Sequence, residues 1–337
     1  MKTSRFILSA AITLSITICC GCLYAHTVRT HASNYSDNQS VKVWRFSLDS
    51  TLKYSHTGEW LSGTNYSLFA AQDYMKGTPS PVEENIKEEK KYDRTKTNTF
   101  TLSAGQTWGK LTETRALFSA IDTASSKSRT GSIGVSQWFW HETFQGMIDI
   151  SRTMVSRETN VYTDVDVVVI EPAPKVNSTG LTLGLKHLAS STTILQYNYT
   201  LIHPTDRPDT HTYSLNIKQF LPFWNHAIHV DASRAINRGK ITEETTYGEV
   251  DAWQWQGSYL ISYWETGLTS KVYYRYYKED QVTRAYSNEL VFGSDTYGLN
   301  LAYSALSNLI VETGAALYKT NKKTKANIYD AGVQYKF

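Results

Sequence analysis

The sequence predicts an all-β protein: a single antiparallel, up-and-down β-barrel that crosses a membrane with about 16 strands. Three observations predict it. Apolar or aromatic residues alternate with polar ones over long stretches. The links between those stretches are alternately short and long. The chain also begins with a segment that reads as an export signal.

The N-terminal segment comes first. Lys2 and Arg5 precede the apolar run "FILSAAITLSITICCGCLYA". A basic start, an apolar middle and a small residue near the cut describe a secretory signal. Cleavage is expected after Ala25, so residues 1–25 are the signal and 26–337 the barrel. Lipid attachment at Cys22 is the alternative, because Gly21 precedes it; Cys19, however, stands where such a signal prefers Leu. An uncleaved anchor is disfavoured, since no second apolar run of about 20 residues follows. The three cysteines, Cys19, Cys20 and Cys22, all fall within the signal. Cleavage leaves an exported chain without disulfides, which a large closed sheet tolerates and a small secreted domain does not.

The strands follow in order. "FTLSAGQTW" sets Phe100, Leu102, Ala104 and Trp108 on one face. "GLTLGLKHL" sets Leu181, Leu183 and Leu185 against Thr182, Gly184 and Lys186. "TYSLNIKQFL" sets Tyr213, Leu215 and Ile217 against Ser214, Asn216 and Lys218. "DAWQWQGSYLISY" sets Trp253, Trp255 and Tyr259 against Gln254, Gln256 and Ser258. "GLTSKVYYRYY" sets Val272, Tyr274 and Tyr276 against Lys271 and Arg275, and "LIVETGAAL" sets Leu309 and Val311 against Glu312. A helix period would mix both classes on every face. A soluble sandwich alternates too. Its strands, however, usually run about five or six residues, whereas these run about 10–14. Single charges near strand centres and aromatics near strand ends also favour a barrel in lipid.

The connectors support the same topology. Short links such as "WGK", "WHET", "PFWN" and "ALSN" alternate with longer ones at 76–96, 123–129, 157–177, 203–210, 238–248, 280–293 and 320–325. Fifteen strands are countable from Val41 onward. Residues 27–35, "TVRTHASNY", supply a sixteenth through a turn at Ser36, Asp37 and Asn38, and 14 is the alternative count. An even number returns both termini to one side, expected to be the periplasm.

The last strand, "ANIYDAGVQYKF", puts Tyr329, Val333, Tyr335 and Phe337 on its apolar face. This pattern resembles the C-terminal signal read by the bacterial barrel-assembly machinery, which implies an outer membrane of Gram-negative type. Other stretches resemble domain-of-unknown-function family 3570, an outer-membrane barrel family. "QDYMKGTPSP" matches its Asp-x-x-Ser-Gly-Ala-Ser-Pro stretch at Gly77 and Pro79. "RPDTHTYSLNIKQFLPFW" matches its Pro-Asp-Thr-Arg-Thr segment at Pro208, Asp209, Thr210 and Thr212, with His211 replacing the arginine. "YRYY", Tyr274 to Tyr277, is similar to a run near that family's C-terminus. The resemblance implies a barrel and brings no substrate or catalytic residue.

Asp149, Lys186, Lys218, Asp231, Lys271, Arg275 and Glu312 fall on the expected inner face. There they either line a polar channel and set its charge preference, or pair with one another and seal it. The expected function is a passive pore or transporter for small polar solutes. The alternative is a closed structural or adhesive barrel acting through its loops. A barrel hydrolase is a further class. It would draw on His203, Asp206, Asp209 and His211, which gather about one outer loop, although no G-x-S-x-G or H-E-x-x-H motif occurs. His226 and His229 are three apart, on opposite faces of one strand, and cannot chelate one metal. Loop 76–96 reads as solvated. Loop 157–177 reads as a hairpin or a plug, and its Asp164, Asp166 and Glu171 lack the spacing of a calcium loop. No cofactor is expected. The net charge is only +3, without a basic block, so nucleic acid is not an expected partner. The partners implied are membrane lipid, the assembly machinery and a small solute.

Overall fold

The computed structural model describes residues 26–38, 41–54, 63–76, 95–109, 111–123, 126–162, 168–172, 175–206, 208–221, 225–237, 250–263, 265–283 and 286–337. The expected signal sequence at 1–25, most of loop 76–96, Asp164 and Asp166 lie outside these residues. So do the side chains of residues 157–174, Glu171 among them.

The strands in chain order are β1 (His26–Asp37), β2 (Lys42–Tyr54), β3 (Thr64–Lys76), β4 (Thr95–Trp108), β5 (Thr112–Asp122), β6 (Ser126–Phe139), β7 (Phe144–Tyr162), β8 (Val168–Pro172) and β9 (Val176–Leu188). They continue as β10 (Thr193–Pro204), β11 (Thr210–Leu221), β12 (His226–Asn237), β13 (Val250–Tyr263), β14 (Leu268–Thr283), β15 (Tyr286–Leu306), β16 (Leu309–Thr320) and β17 (Lys325–Lys336). Each pairs antiparallel with its sequence neighbour. The exception is β8, which pairs only with the far end of β7 (Tyr162 opposite Val168), while β7 itself pairs onward with β9. β1 pairs with β2 on one side and β17 on the other, so 16 strands close into a barrel. Closure leaves no edge whose amides lack partners, the condition for crossing lipid.

The weakly alternating segment at 27–35 is indeed the first strand, with Thr27 opposite Lys336. Both ends of the barrel chain therefore lie at one rim, here called the terminal rim. The strand ends at Lys76, Thr95, Asn237 and Val250 and the β7–β8 hairpin lie at the opposite, distal rim. Two expected loops are largely strand. Residues 280–293 extend β14 and β15 toward a link at 284–285, and β6 already starts at Ser126 within 123–129. Residues 157–177 hold the expected hairpin, formed by the tip of β7 and β8.

Among the described residues no large side chain is fully buried. The apolar side chains are instead exposed on one face: Phe46, Ile133, Ile148, Val272, Leu299 and Val311 are all well exposed. The registers place them together, for example Ile148 opposite both Val135 and Leu183. Such a surface is stable when the surrounding solvent is hydrocarbon.

Turns at the terminal rim are tight. Trp140, His141 and Glu142 all take positive φ (48°, 53° and 63°), a backbone state costing L-residues about 1–2 kcal/mol each. Aromatic packing offsets it. Phe139 stacks on Phe144 at 6.0 Å, Trp140 meets Phe144 edge-on at 5.3 Å, and Phe144 stacks on His187 at 4.2 Å. At the β13–β14 turn the positive φ falls on Gly267 (66°), where a Cβ would press on the Ser304 carbonyl at 3.2 Å.

The inner wall as candidate functional site

The concave face of the wall is identified by side chains that meet across an intervening strand. Arg115 on β5 reaches Asp149 on β7, passing over Gly134 of β6. Arg29 on β1 reaches Glu312 on β16, passing over Gly332 of β17. Asn300 on β15 and Asp330 on β17 converge over Gly314 of β16. Only on the inside of a curved sheet do next-nearest strands converge in this way.

Stepping by two along each strand and across each register assigns every position to a face. Asp149, Lys186, Lys218, Asp231, Lys271, Arg275 and Glu312 all fall on the concave one. All except Arg275 lie within six residues of the terminal-rim end of their strands. Arg29, His31 and Arg115 share that level. Together these residues form a belt around the inside of the terminal half.

The belt has two unlike arcs. On β16, β17 and β1 to β7, Arg29, Arg45 and Arg115 each hold a carboxylate. Arg115 donates Nε to Asp149 Oδ1 at 2.8 Å, and its Nη2 bonds the other oxygen, a bidentate fork. Arg29 binds Glu312, and His31 Nε2 lies 3.2 Å from Asp330 Oδ2. Nearer the distal rim Arg45 clamps Asp73 with bonds of 2.7 and 2.8 Å. A Cβ at 134 would overlap the Asp149 carboxylate, so glycine there makes room for the fork.

On β9 to β14 the cations are not matched. Lys186 Nζ lies 5.2 Å from the Trp138 ring centre, and Lys271 Nζ lies 6.0 Å from that of Tyr273. Arg275 donates Nε to Gln256 Oε1 at 2.9 Å. Lys218 stands opposite His229. Of the carboxylates on this arc, Asp231 is already engaged by His229 at 3.2 Å and by the Asn216 amide, and Glu279, farther up β14, by the Tyr277 hydroxyl. Among the described residues, none of these four cations has a carboxylate at ion-pair distance. The belt therefore presents a basic arc across the lumen from one in which Arg29 and Arg115 are held by carboxylates.

Arg29, Arg115, His31 and Asp330 were not singled out from sequence. β1 alternates weakly, and the inner face of β5 mixes Glu113 and Arg115 with Leu117 and Ile121. The parity of Glu113 and Arg115 was the available signal.

The other candidates separate. His203 Nδ1 lies 2.6 Å from Asp209 Oδ1, whereas His211 Nδ1 pairs with the Tyr199 hydroxyl at 2.8 Å. The two histidines thus hold different partners on the outer face. His226 contacts Tyr259 on the outer face while His229 points inward, as the strand period requires. Tyr329, Val333, Tyr335 and Phe337 lie bare along the outside of β17, and Tyr335 and Phe337 meet edge-on at 4.6 Å.

A closed antiparallel wall, oily outside and charged inside, defines an outer-membrane-type β-barrel. Solved structures of that class superpose on the chain: Pseudomonas aeruginosa OpdQ at TM-score 0.52, with 12% identity over 94% of this chain and 98% of that one. Acinetobacter baumannii OccAB3 gives 0.53 with 8% identity over 94% and 98%. Pseudomonas aeruginosa OpdK with vanillate gives 0.50 with 11% over 93% and 97%. At these identities the likeness is one of fold. No family model and no curated protein matches the sequence.

Proposed function

We propose that the chain is a passive pore of a Gram-negative outer membrane for small polar solutes, with a preference for anions. The width of the wall carries the proposal. Sixteen strands about 4.8 Å apart, tilted by about 40°, enclose a backbone cylinder roughly 30 Å across. Inward side chains reach about 6 Å from each side, so the wall alone does not seal the lumen. The unmatched Lys186, Lys218, Lys271 and Arg275 supply the charge preference. OpdK was solved with vanillate, a small carboxylate, which fits this reading. Periplasmic termini, delivery by the barrel-assembly machinery through Tyr329, Val333, Tyr335 and Phe337, and membership of the resembled family belong to the same proposal.

Planar-bilayer recording tests it. Folded protein gives discrete conductance steps, and a salt gradient gives a reversal potential on the anion side. Lys218→Glu with Lys271→Glu moves that potential toward cations. Absence of steps from folded protein overturns the pore; an unmoved potential overturns the basic arc as its selectivity element.

A further inference from the structure

The registers of β9 to β14 line up an unbroken row of hydrogen-bonding side chains on the inner face. Lys186, Gln196, Asn216, Asp231, Gln256 and Arg275 stand directly opposite one another from strand to strand. The row starts and ends on a cation and holds three carboxamides between them. Strands about 4.8 Å apart and tilted by about 40° carry it obliquely up the wall for about 24 Å. The next inner row toward the distal rim repeats the chemistry without charge, as Asn198, Ser214, Ser233 and Gln254. Across the lumen a comparable row reads Ser67, Ser103, Leu117 and Ser132, with no carboxamide. Two of its hydroxyls bond each other, Ser67 to Ser103 at 2.6 Å.

A carboxamide carries two N–H donors and a carbonyl with two lone pairs. Bonds within the wall use only part of that capacity. Gln196 donates to Asn198 Oδ1 at 3.3 Å, and Asn198 donates to Ser214 Oγ at 3.2 Å. Among the described residues, the wall engages Gln256 only through its carbonyl, which accepts from Arg275 at 2.9 Å, and leaves the exposed Gln254 amide unbonded. Gln196, Asn198, Asn216, Asp231 and Gln254 border a recess of about 180 Å³ between the two rows. That is room for a small solute rather than for one water.

We propose that this oblique double row is a binding track for small polyhydroxylated organic anions. The proposal deepens the pore reading and rests on it: the cations select charge, and the carboxamides select hydroxyls. Each oxygen of a vicinal diol both donates and accepts, the same pairing that a carboxamide displays. Such a solute replaces water at Gln196, Gln254 and Gln256 bond for bond. An alkyl carboxylate displaces that water and returns no hydrogen bond. Lys218 flanks the row on its terminal-rim side, opposite His229, so a charged group and a hydroxylated tail are held at once.

The probes are threonate and butyrate, which share a four-carbon carboxylate skeleton and differ by the hydroxyls of threonate. Each is titrated onto folded protein in detergent micelles and followed by saturation-transfer NMR, which needs no conduction. Threonate should bind at least about fivefold more tightly than butyrate, the effect of one or two net hydrogen bonds. Gln196→Leu with Gln254→Leu should erase that preference. Equal binding of the two solutes by the native protein overturns the proposal without any variant. A preference that survives in the folded variant overturns the carboxamides as its source. Conductance steps together with equal binding leave the pore and remove the track, whereas absence of steps removes the pore whatever the titration reads.

Discussion

Ile133 on β6 is the sharpest place to ask what surrounds the barrel. It is 66% exposed, sits seventh from the terminal rim, and faces outward beside Ile150. Its chain neighbour Ser132 points inward, opposite Ser151. Arg at the two positions meets different solvents at the same depth. Toward lipid at mid-depth an arginine costs about 2–4 kcal/mol. At about 1.4 kcal/mol per factor of ten, Ile133→Arg lowers the folded-to-unfolded ratio roughly 30- to 700-fold. Ser132→Arg enters a polar lumen and costs within about 1 kcal/mol. The assay is reversible urea unfolding in phospholipid vesicles, followed by the fluorescence of the chain's nine tryptophans. Equal costs at 132 and 133 would refute lipid as the outer solvent. A larger cost at 132 would invert the assignment of faces and with it the inner belt.

Two further outcomes follow from the wall. Gly134→Ala thrusts a Cβ into the Asp149 carboxylate and should cost about 1–3 kcal/mol by urea midpoint. In an Asp149→Ala background the cost should shrink, leaving only the approach of the new Cβ to the Ile148 carbonyl at 3.0 Å. Amide hydrogen exchange should be faster at Asp280–Thr283 than at Val272–Arg275 of the same strand β14, because only the latter are shielded by lipid.

The barrel was legible where lipid writes on the sequence. In β9 and β13 one face must satisfy hydrocarbon and the other water, so Leu183 and Lys186, or Trp255 and Gln256, alternate strictly. The tips of β14 and β15 were not legible for the same reason. Beyond the bilayer both faces meet water, the alternation stops, and "DQVTRAYSNELVFG" reads as loop although much of it is paired strand. The inner positions were legible from parity alone. Their pairing was not. The contact between Arg115 and Asp149 depends on Gly134 of the strand between them, and thus on two registers at once. Sequence spacing within one strand contains neither.

β14 shows how parity and height act together. Lys271, Tyr273 and Arg275 face inward, and Leu268, Val272, Tyr274 and Tyr276 face outward. The outward row then changes character at Lys278, which bonds Asp280 at 2.7 Å on the same face. Lys271 and Lys278 are the same residue type seven positions apart, on opposite faces. The first is tolerated low in the barrel because its face is wet; the second is tolerated on the oily face because it lies above the oil. A lysine moved from 271 to 272 breaks the first condition, and one moved from 278 down to 274 breaks the second. Charge in this wall is therefore fixed by two coordinates, face and height. The height at which the outer face first accepts charge measures the thickness of the membrane for which the chain is built.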